Sequence, residues 1–204
     1  MVNIDFKDLD KGYTQISEIS THVKTKGTEL LNKIDQNIGN LKVHWIGTDA
    51  SKHINNLIDM YSSLGQLLTI ATTLTSATAD NIIAVQKVRF ANNQSGMVGS
   101  ELTKQGPNVA SISKMPDTER YYCDPAAAND LSTLIEIYNN YTTFANTFEQ
   151  NTNELMNNWI DGANRAQVNS AFSKFISESK EYKQHLANAK SNLETAVSNI
   201  NKIQ

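Results

Sequence analysis

The sequence predicts an all-α fold: two helical hairpins packed as an antiparallel four-helix bundle, with a long non-helical strap between them. Three observations predict it. Apolar or small residues recur at alternating steps of three and four along four long stretches, which is the period of one helix face. Only three prolines and nine glycines occur in 204 residues, and all three prolines and three of the glycines fall between residues 96 and 125. The remainder is therefore nearly free of helix breakers. Finally, the chain has two tryptophans, each standing where one apolar stripe ends and the next begins, in Trp45-Ile46-Gly47 and again in Trp159-Ile160-Asp161-Gly162. A helix, a Trp-containing turn and a second helix thus occur twice, and the chain reads as a tandem repeat.

The first stripe covers residues 5–45: Phe6, Leu9, Tyr13, Ile16, Ser20, Val23, Gly27, Leu30, Ile34, Ile38, Leu41 and Trp45. It is the heptad-like seam of a bundle or coiled-coil helix. A helix of about 40 residues would be roughly 60 Å long. Gly27 falls on the seam, where a missing Cβ lets a neighbouring helix approach. Gly47 has the freedom to take φ > 0 at the end of this helix, and Thr48 or Asp49 is placed to cap the next. The second stripe covers residues 49–93: Ala50, Ile54, Leu57, Tyr61, Leu64, Leu68, Ala71, Thr75, Thr78, Ile82, Val85 and Arg89. Its middle is rich in Thr and Ala, small enough for close helix packing although threonine is a modest helix former. Lys87 and Arg89 suit the negative pole of the helix dipole.

Residues 94–124 break the period at Gly96, Gly99, Gly106, Pro107 and Pro116, yet carry Val98, Leu102, Val109, Ile112 and Met115. This is the composition of a strap lying on the bundle, with a short helical turn expected near 98–104. Asp124-Pro125 then starts a helix, Asp as cap and Pro at the first position. The third seam runs Leu131, Leu134 (or Ile135), Tyr138, Tyr141, Phe144 (or Ala145), Phe148, Thr152, Leu155 and Trp159. The fourth runs Ala166, Phe172, Phe175, Ser179, Tyr182, Leu186, Ala189, Leu193, Ala196, Ile200 and Ile203. A lone amphipathic hairpin cannot cover its own stripe, whereas two cover each other. The expected division is a first hairpin at 1–95, the strap at 96–124 and a second hairpin at 125–204, sharing one core. A strap of about 30 residues exceeds the roughly 2–8 that join neighbouring helix ends. It suits an antiparallel packing with the two Trp turns at opposite ends.

Composition narrows function. A formal net charge of −3 argues against nucleic acid, whose binding needs a basic stripe. No apolar run approaches a membrane span. The start lacks a basic region followed by an apolar run, so an ordinary signal peptide is not expected. Cys123 is the single cysteine, which excludes an intrachain disulfide. Arg120 is close enough in sequence to lower its pKa, but an inert thiol is expected. His44 and His53 flank the first turn and could approach each other; two histidines without a carboxylate cluster make a poor metal site. Glu181 and His185, four apart, read as a surface pair. No nucleophile elbow, phosphate loop or Cys–His arrangement occurs. No enzyme activity, metal or cofactor is therefore expected. The residues singled out are Trp45, Gly47, Trp159 and Gly162 at the turns and Tyr121 and Tyr122 in the strap. The indoles fill the core at a hairpin end, lie partly exposed at a tip for docking, or do both, packing on one side and binding on the other. The tyrosines either form a partner patch or pack the strap onto the bundle.

Two hairpins with long helices around Trp-x-Gly, strict at Trp45-Ile46-Gly47 and one residue longer at Trp159-Ile160-Asp161-Gly162, resemble the WXG100 (ESAT-6-like) superfamily. Ala163 and Phe172 stand about where such proteins keep small and aromatic core residues. The resemblance covers about residues 1–95 and 125–204. It implies a dimer of antiparallel hairpins fused into one chain, a monomeric pseudo-dimer. It also implies a role in type VII (ESX-like) secretion as an exported substrate or an escort, with the secretion ATPase or an LXG-type toxin as partner. Localisation would be secreted by a signal-peptide-independent route, or cytoplasmic as an escort. None of the seven tyrosines has Asp or Glu four residues on, so the Tyr-x-x-x-Asp/Glu signal of exported members is absent and the escort role gains weight. The alternatives are a membrane-active helical toxin, with Leu67–Ala79 as its most apolar stretch, and a purely structural coiled-coil adaptor.

Overall fold

The computed structural model describes residues 4–89, 99–162 and 164–203, the side chains of Ile4 and of residues 200–203 excepted. The elements in order are β1 (Ile4–Phe6), α1 (Leu9–His44), β2 (Trp45–Ile46), α2 (Thr48–Arg89), β3 (Tyr122–Cys123), α3 (Ala127–Asn158), β4 (Trp159–Gly162) and α4 (Arg165–Ile203). The fold is all-α, with four helices packed as in a bundle and strands of at most four residues. Gly96, Val98 and Ala163 lie outside the described residues.

The chain divides into two compact units that do not follow the hairpins. The first comprises Met1–Gly27, Leu67–Pro107 and Phe144–Ser177; the second comprises Thr28–Gln66, Asn108–Thr143 and Glu178–Gln204. Each unit contains a piece of every helix. The Trp159 turn belongs to the first and the Trp45 turn to the second.

In the first unit, α1 meets α2 where Gly27 faces Leu68: a Cβ on this glycine would lie 2.7 Å from a leucine methyl. The seam glycine is thus explained by close helix approach. Helices α1 and α3 run antiparallel here, Gln15 reaching Asn158 and His22 stacking on Phe144 with centroids 4.7 Å apart. Phe144, Phe148, Phe172 and Phe175 form the aromatic core between α3 and α4, Phe148 and Phe175 at 4.3 Å. The buried hydroxyls of Thr72, Thr75 and Thr78 donate to carbonyls four residues back, at 2.8–2.9 Å. That pairing lets a threonine-rich stretch enter the core as helix. The entry to α4 differs from expectation: Ala166 is exposed and Val168 is buried. The longer second turn delays the helix, and the seam begins at Val168, Phe172 and Phe175.

In the second unit, Lys33 pairs with Glu136 and Asn37 with Asp130, so α1 and α3 are again antiparallel. Tyr141 meets Tyr182 edge-on between α3 and α4, and Asn192 of α4 bonds His53 of α2. Burial pushes the Tyr141 hydroxyl pKa up, and that of Tyr182 to about 12.

No helical turn forms within 99–104, contrary to expectation. The Tyr13 hydroxyl donates to the Ser100 carbonyl at 2.7 Å and accepts its N–H at 3.0 Å. Tyr13 thus takes both main-chain groups of Ser100, and neither is left to close a local turn. Also in the first unit, Lys104 pairs with Asp80 and Gly106 packs on the backbone of Thr69. In the second unit the strap lies extended along α2, as described below. Helix α2 therefore buries a second face besides its seam, including Ser51, Ile58 and Gly65.

Candidate functional site

At the Trp45 turn, α1 ends at His44 and Trp45–Ile46 leaves as strand β2. Strand β3, the segment leading into the other hairpin, pairs with it antiparallel: Trp45 opposite Cys123, Ile46 opposite Tyr122. The indole is 2% exposed and lies parallel to the His53 ring, centroids 6.0 Å apart. Gly47 has φ +139°, and the strap crosses it closely, with the Arg120 carbonyl 3.4 Å from where a Cβ would stand. Its own carbonyl accepts the Ser51 N–H at 2.8 Å. Gly47 is thus the cap of α2, in place of Thr48 or Asp49, and the Thr48 hydroxyl turns instead to the Thr118 carbonyl. His44 clasps the start of α3: Nδ1 lies 2.6 Å from Oδ2 of the buried Asp130, and its carbonyl accepts the Asp124 N–H at 2.8 Å. Asp124 caps α3, its Oδ1 accepting the Ala126 N–H at 2.7 Å. The Tyr122 hydroxyl, and after it this N–H, hold the Asp124 carboxyl below its ordinary pKa.

The Trp159 turn is built on the same plan. Strand β1, leading into the first hairpin, pairs with β4: Ile4 opposite Gly162, Asp5 opposite Asp161, Phe6 opposite Trp159. Phe6 stacks on the indole at 5.1 Å, and Trp159 is fully buried. The indole N–H donates to the Asp161 carbonyl at 3.1 Å. Gly162 has φ +113° and Asn164 φ +66°; the Asn164 carbonyl accepts the Val168 N–H and so caps α4. Arg165 donates to the carbonyls of Trp159, just past α3, and of Met156 in its last turn, placing a cation at the C-terminal end of that helix. Here Asn158 is the clasp. It accepts the Asp8 N–H and donates to the Asp8 carbonyl, both at 3.0 Å, and donates to Gln15 at 3.1 Å. Its own carbonyl accepts the Lys7 N–H at 2.9 Å.

Two expectations change. Neither indole is partly exposed: both are buried, and a strand from the other hairpin's lead-in lies against each turn. Tyr121 and Tyr122, by contrast, are 65% and 48% exposed and do not pack the strap into the bundle. With Val43, also exposed, they are the open apolar surface at and near the Trp45 turn, and Ile160 is its counterpart at the Trp159 turn. For Cys123, burial first, then Asp124 and Asp130, push the thiol pKa up, the direction of the inert thiol expected and not of the lowering that Arg120 could give. His44 and His53 have separate partners, Asp130 and the Trp45–Asn192 pair. Among the described residues no group of three or more His, Cys, Asp or Glu is arranged to hold a metal. Glu181 and His185 line an open cleft of about 450 Å³ with Asp59 and Glu178.

Sequence reasoning missed the strand closure and the two clasps. A signal for the clasps was present: the residue before each tryptophan, His44 or Asn158, is a polar side chain able to both donate and accept. No protein-family model, curated protein or solved structure matches the chain.

Proposed function

We propose that this chain is a fused pair of WXG100-like hairpins serving type VII (ESX-like) secretion, as an escort or an exported substrate that binds the secretion ATPase or an LXG-type toxin. The observation that carries the reading is the reciprocal closure of the turns. Each Trp turn is completed by the segment leading into the other hairpin, β4 by β1 and β2 by β3. Neither turn is closed by its own hairpin's lead-in, so the two hairpins complete each other as paired subunits would, and fusion makes the pairing intramolecular. Tyr121, Tyr122 and Val43 give the binding role an open surface of the aromatic type enriched at interfaces. The membrane-active alternative has less support. Among the described residues no helix is long and apolar enough to cross a membrane, and Leu67, Leu68, Ala71 and Ala79 are buried.

The test is export and capture in a cell carrying a type VII system, with and without its ATPase. ATPase-dependent appearance in the culture supernatant marks a substrate; cell retention with co-purification of the ATPase or toxin marks an escort. Neither export nor capture rejects the reading and leaves the structural adaptor.

A further inference from the structure

Within the second unit, residues 108–118 lie along α2 in a manner that reads main chain more than side chains. The Tyr61 hydroxyl accepts the Ala110 N–H at 3.1 Å. The Asn55 amide bonds Met115 both ways, accepting its N–H at 2.7 Å and donating to its carbonyl at 2.9 Å. The Ser51 hydroxyl donates to the Pro116 carbonyl at 2.8 Å. Such contacts serve any extended chain. Two others select. A Cβ on Gly65 would overlap the Val109 methyls, so the glycine makes a notch for a branched apolar side chain. Asp59 pairs with Lys114 at 2.9 Å, both side chains 59% exposed.

The two sides of this contact differ in burial. Ser51, Ile58, Tyr61 and Gly65 are buried, whereas no residue of 108–118 is. A segment with few buried contacts opens at lower cost than the core beneath it.

We propose that the outer face of α2 from Ser51 to Gly65 is a receptor groove for an extended segment of a partner protein, occupied in cis by residues 108–118 as a displaceable ligand. The partner segment carries a branched apolar residue for the Gly65 notch and a Lys or Arg five positions later for Asp59. A free N–H follows for Asn55. The charge of Asp59 and the shape of the notch set this chemistry, whatever the role in secretion.

The probe is a fluorescein-labelled peptide copying residues 106–119, titrated by anisotropy into the full-length protein. The cis segment competes at an effective concentration on the order of millimolar. Weakening it with Val109→Asp should therefore tighten peptide binding at least tenfold over the unaltered protein. Lys114→Glu, an exposed change outside the core, should shift affinity in the same direction by several-fold, and decides the matter if Val109→Asp fails to fold. A peptide with aspartate in place of its valine should bind at least tenfold more weakly. Equal affinity for the unaltered protein and the strap variants, binding indifferent to that valine, or no binding at all would overturn the proposal.

Discussion

Asn158→Ala tests the plan of the Trp turns most directly. The side chain is 6% exposed and makes three hydrogen bonds, to the Asp8 N–H, the Asp8 carbonyl and the Gln15 amide oxygen. Each is worth about 1 kcal/mol net. Truncation leaves partly buried partners without replacement, so the loss should be about 3 kcal/mol. For a chain of this length that lowers Tm by about 6–12 °C. Circular dichroism melts read the shift, and amide exchange at Lys7 and Asp8 should accelerate more than exchange in mid-helix α1. Asn158→Asp sharpens the test. A carboxylate still accepts the Asp8 N–H but turns acceptors toward the Asp8 carbonyl and the Gln15 oxygen, and should cost at least as much as alanine. A loss below about 1 kcal/mol, or an aspartate variant as stable as the parent, would refute the clasp.

Other outcomes follow from the same geometry. Trp45→Ala removes a buried indole and should cost about 3–5 kcal/mol in denaturant unfolding, while Tyr121→Ala, at an exposed ring, should stay within about 0.5 kcal/mol and weaken partner capture instead. His44→Ala strands the buried Asp130 carboxylate and should cost about 2 kcal/mol, read by thermal melts. Burial first, then Lys52, lower the pKa of His53, with Asp49 opposing. The unfolded chain therefore takes up the proton first as pH falls, and stability should decline from pH 6.5 downward through the lowered folded value. His53→Gln should flatten that slope in urea titrations between pH 7.5 and 5.

The helical seams were legible because they are local. Ile16, Ile34, Leu41, Leu57, Phe148 and Leu186 are buried where a period of 3.6 puts them, and that period is written into consecutive residues. The breaks at Gly47 and Gly162 were legible too, since a helix that must stop calls for a residue free to take positive φ. The closing strands were not. A pairing of two or three residues has no period, and β1 lies 150 or more residues from its partner. The clasps were half legible: the polar residues could be seen, but His44 finds Asp130 and Asn158 finds Asp8 only once the helices are side by side. The second buried face of α2 was hidden for another reason. It is covered by a segment held largely through main-chain hydrogen bonds, and main-chain groups are the same at nearly every position. Side-chain periodicity thus determined which residues turn inward along each helix. Tertiary packing alone decided which distant segment closes each turn and where the strap lies, because those choices rest on shape and backbone pairing between parts far apart in the chain.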